Sequence, residues 1–268
     1  CNFRKIYVVL CQQSFQKGRQ MKRFTFASKV VAVIVTLAMN MGLVNAASAN
    51  SELTKNPAYF QLKKPVIKEV DSQEISLNAV GFLGGNKCEA VKPMALDIVG
   101  EISNASVVID QVVNLGKKVW ALVAEGKPVV NFKSDVASAL PQGITCWSDL
   151  TNWSNPISKT YEITYENGFG MEVIRLQYRV IMVSGGSYQG QGKYVGYATV
   201  VPADMHVAWG FNLDVNVAVP VVFNQGTKEN PIAGLNLDLK WKTTTPFQSE
   251  EGTHSFFMNG MGQFQSLN

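Results

Sequence analysis

The sequence predicts a mainly β protein, an antiparallel β-sandwich with one long buried α-helix in its N-terminal half, on the border of the α+β class. Three observations lead to this prediction. Apolar residues recur at helical spacing over about 104–125, apolar and polar residues alternate over much of 157–264, and an Asn-Gly pair separates two of the alternating segments. Strands therefore outnumber helices, and we expect two packed sheets with the helix covering a face or an end.

A secretory signal is predicted over residues 21–49. A positively charged start follows Met21, an apolar stretch covers 30–38, and the small residues at 47–49 suit a signal peptidase. We expect the rest of the chain to be exported, either to a periplasm or to the extracellular space.

Residues 1–20 precede that signal, and we interpret them as an upstream translation artefact. Lys17-Gly18-Arg19 can be encoded by a purine-rich run that resembles a bacterial ribosome-binding site, one codon ahead of Met21. On this hypothesis the source is bacterial, and the nucleotide sequence of the gene decides the question.

The exported part is mildly acidic, although the whole chain has a formal charge of +4. Seven of the 24 basic residues lie at or before Lys29, whereas all 20 acidic residues follow Ala49. Seventeen basic and twenty acidic residues remain, which gives a net charge of −3. Because lysine and arginine form no cluster, we expect no nucleic-acid partner. No cofactor motif occurs, and we expect no cofactor.

The exported chain is predicted to begin with an extended arm or linker over 50–74, which is polar and lacks periodicity. A single mainly β domain over 75–268 follows. Its helix is predicted at about 104–125, and Gly126 and Pro128 would end it. The apolar residues at spacings of four and three are Val108, Val112, Leu115, Val119 and Leu122.

Two cysteines, Cys88 and Cys146, remain after the signal. In an oxidising compartment the expected fate of such a pair is one disulfide. A reactive or metal-binding pair is the alternative, but the spacing is not Cys-x-x-Cys and no histidine is adjacent. We therefore predict a Cys88–Cys146 disulfide.

The second half of the chain is predicted to be all strands. Asn167-Gly168 predicts a type I′ hairpin between 157–166 and 169–183. A continuous strand is expected over Val207–Phe223, and a last strand over about 254–264.

The strand over 207–223 is expected to form a hairpin with the alternating segment 233–242. Placing Phe223 opposite Ala233 brings Asp214 to Lys242, and Asn216 to Lys240, so apolar and charged pairs agree. Pro220 cannot donate a ladder hydrogen bond, so its strand should be an edge there or carry a bulge.

Side chains that carry chemistry are few. His206 and His254, with nearby carboxylates, suit a transition metal, but no third closely spaced ligand supports a metal site. Asp214 and Asp238 are expected on one polar sheet face, where solvation explains them better than a catalytic pair. No Gly-x-Ser-x-Gly motif is present. We name no catalytic residue and no metal ligand, and catalysis is not favoured.

The loop after Cys146 is the candidate binding site. Trp147 and Trp153 offer flat apolar faces beside Asp149 and Asn152, a combination that suits a carbohydrate or a protein surface. The alternative is that one or both tryptophans fold back to cover the core.

Three functions remain open. We favour an exported binding or structural protein that works by contact, because every specific pattern is architectural. A membrane-engaging β protein of outer-membrane or pore type is the alternative, since the alternation from Val207 exceeds the length of a membrane strand and carries aromatic residues. Membrane contact is nevertheless not favoured. The third is an extracellular hydrolase that uses acidic residues on a sheet face, and nothing positive selects it.

Overall fold

The computed structural model describes residues 54–70, 106–129 and 135–267. Across these ranges the chain is mainly β, and its strands form two antiparallel sheets of six strands each. Two 3₁₀ helices, Pro57–Phe60 and Trp147–Asp149, lie outside the sheets. The strands are β1 Val66–Val70, β2 Val108–Val113, β3 Val119–Ala124, β4 Lys127–Pro128, β5 Ala137–Gln142, β6 Ile157–Glu166, β7 Glu172–Tyr188, β8 Gln191–Val207, β9 Asn212–Asn224, β10 Ala233–Thr244, β11 Ser249–Asn259 and β12 Phe264–Ser266.

The two sheets pack face to face, as the sequence predicts for a sandwich. The first sheet has the order β1-β6-β7-β8-β5-β2, and the second has the order β12-β11-β10-β9-β3-β4. Alternate side chains of the long strands point inward and meet in the main apolar core, and a second buried cluster consists of Ile181, Val183 and Tyr197. Its fully buried members from the two sheets include Tyr178, Met182, Leu213, Leu235 and Phe256.

The long buried helix predicted over about 104–125 is wrong. The segment holds β2, which pairs with β5 in the first sheet, and β3, which pairs with β9 in the second. Between them the chain turns at Asn114, whose side-chain oxygen accepts hydrogen bonds from the amides of Gly116 and Ser138, each at 2.9 Å. Valine and isoleucine favour strands, and two densely apolar strands in succession imitate helical spacing.

No helix within the described ranges is long and apolar enough to cross a membrane.

The predicted pairing of β9 with β10 is confirmed in its first half. Asp214 lies opposite Lys242, and Asn216 lies opposite Lys240. The charged and amide side chains thus share the outer face, while Leu213, Val215 and Val217 are buried on the inner face.

A bulge at Pro220 changes the second half of this pairing. The register shifts between Ala218 and Val221, so Phe223 lies opposite Gly234 rather than Ala233. The bulge is one of the two outcomes predicted from the missing amide of proline, an edge or a bulge. Because one extra residue exchanges the two faces of a strand, Val221 and Phe223 point to solvent.

The continuous strand predicted over Val207–Phe223 is wrong. β8 ends at Val207, the chain turns over 208–211, and β9 begins at Asn212 in the other sheet. Gly210 has a φ of 82°, and the amide of Phe211 donates to the carbonyl oxygen of Ala208 at 3.2 Å. Apolar residues alternate with other residues in the same phase on both sides of the turn, so a two-residue periodicity does not reveal the turn.

The hairpin predicted at Asn167-Gly168 is present, but its type I′ turn is wrong. β6 and β7 are joined by a five-residue loop over 167–171, and the positive φ, 79°, belongs to Gly170. Gly168 is required for another reason, since a Cβ atom there would lie 2.6 Å from the carbonyl oxygen of Ala58. The loop therefore packs directly against the 3₁₀ helix Pro57–Phe60.

The predicted last strand, 254–264, is divided between β11 and β12. Within it, His254 is buried between the sheets. Its Nδ1 lies 2.5 Å from the hydroxyl oxygen of Tyr178, and its Nε2 lies 2.7 Å from the hydroxyl oxygen of Ser266. Burial lowers the pKa of His254 from 6.5 to about 4, so the folded protein holds it neutral at physiological pH.

Stability should therefore depend on His254 between pH 6.5 and pH 4. Below 6.5 the unfolded chain binds a proton that the folded chain refuses, so the free energy of unfolding falls as the pH drops through this window. His254→Gln removes the titrating group and should reduce that fall. Denaturant unfolding at the two ends of the window measures it, and equal falls in both proteins would contradict the prediction.

Candidate functional site

The predicted binding loop is anchored along the end of β7. Thr151 and Ser187 exchange two backbone hydrogen bonds of 3.0 and 2.8 Å, and the amide of Ser154 donates to the carbonyl oxygen of Ser184 at 2.8 Å. The side-chain amide of Asn152 donates to the hydroxyl of Ser187 at 2.9 Å. The loop thus continues the pairing along β7 beyond Ile157, the first residue of β6.

Trp153 lies on two glycines of the first sheet. Cβ atoms built on Gly186 and Gly196 would come within 2.3 and 2.7 Å of its indole ring. Trp147 packs edge-on against Trp153, with ring centroids 6.1 Å apart. Both tryptophans are half-buried, whereas Asp149 and Asn152 are exposed. These contacts favour the covering role for Trp153, and ligand binding by this loop stays a prediction.

The loop begins at Cys146, which caps the 3₁₀ helix Trp147–Asp149. Its Sγ accepts a hydrogen bond from the amide of Ser148 at 3.4 Å. Cys146 is the one cysteine within the described ranges, and its predicted partner, Cys88, lies outside them. The predicted pairing stays a prediction.

The candidate carboxylates have structural partners. Asp214 accepts from the amide of Glu125 at 2.8 Å, and Asp238 accepts from the hydroxyl of Ser255 at 2.7 Å. They are not opposite each other, because Ala218 faces Asp238. In the described part of the chain, no group of three or more His, Cys, Asp or Glu side chains is placed to hold a metal ion.

Glu162 is the buried carboxylate of the first sheet. It accepts from the side-chain amide of Gln177 at 2.7 Å and pairs with Lys68 at 2.7 Å. The hydrogen bond from Gln177, followed by Lys68, lowers the pKa of Glu162. An ionised side chain held by two partners contributes to strand pairing and is a poor proton acceptor.

The sequence analysis missed a cluster of aromatic residues at the other end of the sandwich. Phe60 is buried at its centre, with its ring centroid 6.2 Å from that of Trp209 and 5.6 Å from that of Phe247. Trp209 and Phe247 are 71% and 69% exposed. The aromatic end, as we call this surface, consists of the segments 57–60, 167–171, 208–211 and 245–248.

Hydrogen bonds join the segments of the aromatic end. The amide of Gly168 donates to the carbonyl oxygen of Ala58 at 3.0 Å. The hydroxyl of Tyr59 donates to the carbonyl oxygen of Trp209 at 3.3 Å. Phe169 and Met171, in the same hairpin loop as Gly168, are also exposed. The end therefore presents several ordered apolar side chains to solvent.

The aromatic end contains no charged residue. Its seventeen residues include no Asp, Glu, Lys, Arg or His, although 16% of the chain is charged. Charged residues border it, where Lys63 pairs with Glu166 at 3.0 Å and Arg175 pairs with Glu172 at 3.2 Å. An uncharged apolar surface is thus bounded by ion pairs.

Two sequence signals could have revealed this surface. Trp209-Gly210 and Pro246-Phe247 place a large aromatic residue beside a residue typical of turns. An aromatic residue in a turn faces solvent unless another segment covers it. The prediction of a continuous strand over Val207–Phe223 concealed the signal.

Comparisons with known proteins add no assignment to this geometry. A scan against protein-family models found no match, and neither a search of curated proteins nor a search of solved structures found one. The function is therefore argued from the residues of this chain.

The surface that Gly186 and Gly196 form beneath Trp153, here called the glycine seat, provides a test of the loop. Gly186→Ala should destabilise the protein by about 1–3 kcal/mol, because the added methyl group collides with the indole. In the Trp153→Ala background the same change should cost much less. Denaturant unfolding of the four proteins of this cycle measures the coupling, and equal costs in both backgrounds would show that Trp153 does not occupy this seat.

Proposed function

We propose that this chain is an exported β-sandwich protein that works by contact, as a binding or structural protein, and that the aromatic end makes the contact. One observation carries the proposal: Trp209 and Phe247 expose most of their side chains while both pack on the buried ring of Phe60. Exposed aromatic residues that are held in place are the side chains that dominate binding interfaces.

Order at the aromatic end strengthens the proposal. A ring that already packs on a neighbour loses less conformational freedom on binding than a mobile one. The Trp147 loop is a weaker candidate for the binding surface, because its tryptophans are half-buried and Trp153 packs on the glycine seat. The two surfaces lie at opposite ends of the strands, so each can be altered separately.

The titratable side chains that could suggest catalysis, His254 and Glu162, have structural partners instead. His254 is held between Tyr178 and Ser266 and is neutral, and Glu162 is held ionised by Gln177 and Lys68. Both bridge strands inside or along the sandwich. Stabilising the fold explains them without a substrate.

Export is the second part of the proposal, and it rests on the signal predicted over 21–49, which lies outside the described residues. Cleavage after Ala49 would release a chain that begins at Asn50 and has two cysteines. In a periplasm or outside the cell, Cys88 and Cys146 would form a disulfide, and the bacterial origin proposed from the leader region is consistent with either address.

Mass spectrometry of the protein recovered from its producing cells tests export. We expect an N-terminus at Asn50 and no alkylation of Cys88 or Cys146 before reduction. Reduction should lower the free energy of unfolding by about 4 kcal/mol, because the bridge closes a long loop. Recovery of two free thiols, or of the uncleaved leader, would contradict export.

Sedimentation with envelopes of the producing cells tests the aromatic end. The double variant Trp209→Ser/Phe247→Ser should lose at least roughly tenfold in affinity per side chain, since burying one aromatic ring is worth about 1.5–3 kcal/mol. The matched control is Val119→Ser/Met261→Ser, which alters side chains that are 62% and 61% exposed elsewhere.

Three results would be informative in this experiment. Loss confined to the Trp209/Phe247 variant supports the proposal. Loss confined to Trp147→Ala/Trp153→Ala would move the contact to the loop. A wild-type protein that stays in solution, or equal binding by all variants, would overturn the aromatic end as the contact surface.

A further inference from the structure

We infer that the partner of the aromatic end is the surface of a lipid bilayer, which its loops enter as far as their aromatic rings. The inference rests on the proposed function, because it names what that same surface binds. Three properties of the aromatic end favour a lipid over a protein.

The first property is the absence of charge. A charged side chain placed among lipid tails is strongly disfavoured, and even lysine or arginine resides there only by reaching back to the headgroups. All four segments of the aromatic end lack such side chains. The nearest ion pair in sequence, Lys63 with Glu166, borders the hairpin loop, with Lys63 Nζ 3.6 Å from the Cβ position of Gly170, and would lie at the level of the headgroups.

The second property is that the backbone amides of two protruding loops, 167–171 and 245–248, all have partners within the protein. In the hairpin loop, the side-chain oxygen of Asn167 accepts from the amides of Phe169 and Met171, each at 3.0 Å. The three other amides of this loop donate to backbone carbonyl oxygens, namely Asn167 to Met171, Gly168 to Ala58 and Gly170 to Asn167.

The turn over 245–248 is closed in the same way. The hydroxyl oxygen of Thr245 accepts from the amides of Phe247 and Gln248, and the amide of Thr245 donates to the carbonyl oxygen of Gln248. Pro246 has no amide hydrogen. Amides that already have partners lower the cost of moving these loops into an apolar phase. A protein interface would instead use such donors, at about one hydrogen bond per 100–200 Å².

The third property is the kind of side chain exposed. Tryptophan prefers the boundary between headgroups and tails, because its ring is apolar and its N–H needs a polar partner. Trp209 is 71% exposed beside Phe247, and Phe169 and Met171 follow on the neighbouring loop. Together they form a set of apolar anchors on an ordered base.

The charge of the exported chain makes the inference more specific. With a net charge of −3, the protein gains nothing from an anionic surface as a whole. Insertion of apolar rings should therefore dominate. We expect the protein to bind neutral phosphatidylcholine vesicles. Its affinity for them should change by less than about threefold when enough salt is added to screen surface charges.

Vesicle flotation with the full exported chain tests the inference. The vesicles are pure phosphatidylcholine, or phosphatidylcholine mixed with phosphatidylglycerol. We expect the wild-type protein and Val119→Ser/Met261→Ser to float with both, and Trp209→Ser/Phe247→Ser to lose at least roughly tenfold per side chain. Equal thermal unfolding midpoints will show that the variants are folded.

The outcomes separate the inference from the proposed function. Failure to float with either vesicle overturns the lipid inference, and so does flotation that survives loss of both aromatic rings. Binding to envelopes that needs Trp209 and Phe247, but disappears after protease treatment of the envelopes, identifies a protein partner. That result leaves the contact function standing and removes the lipid. Flotation only with phosphatidylglycerol would contradict insertion as the main force.

Discussion

Burial of two apolar sheet faces against each other is the interaction on which the rest of this structure depends. Tyr178, Val217 and Leu237 are completely buried in that core. Because side chains alternate along a strand, each strand has one register that buries its apolar set. The loops must then leave at the two ends of the sandwich, where the Trp147 loop and the aromatic end lie.

Polar contacts across the core make that packing specific. The indole N–H of Trp241 donates to the hydroxyl of Tyr165 at 2.8 Å, and His254 connects Tyr178 with Ser266. A buried polar group without its partner is costly, so these pairs hold the sheets in one relative position. At the aromatic end, the buried ring of Phe60 packs against the exposed rings of Trp209 and Phe247.

The two ends of the sandwich treat their aromatic residues differently, and this difference carries the functional argument. At one end Gly186 and Gly196 leave a seat that Trp153 fills, so the ring covers the sheet. At the other end Phe60 occupies the seat, with Gly210 leaving room for its ring, and Trp209 stays outside. Aromatic side chains therefore cover the sheet at one end and are exposed to solvent at the other.

The sequence by itself determined the β class, the β6–β7 hairpin, the pairing of Asp214 with Lys242 and an edge or bulge at Pro220. These depend on neighbours within a hairpin and on the missing amide of proline. Only the tertiary structure decided that 108–124 is two strands in different sheets and that Trp209 lies in a turn. A dense apolar run fits a helix or a strand, and alternation can continue through a turn. The secondary structure of 108–124 and the turn at Trp209 therefore depend on pairing with distant strands, which a local sequence pattern does not show.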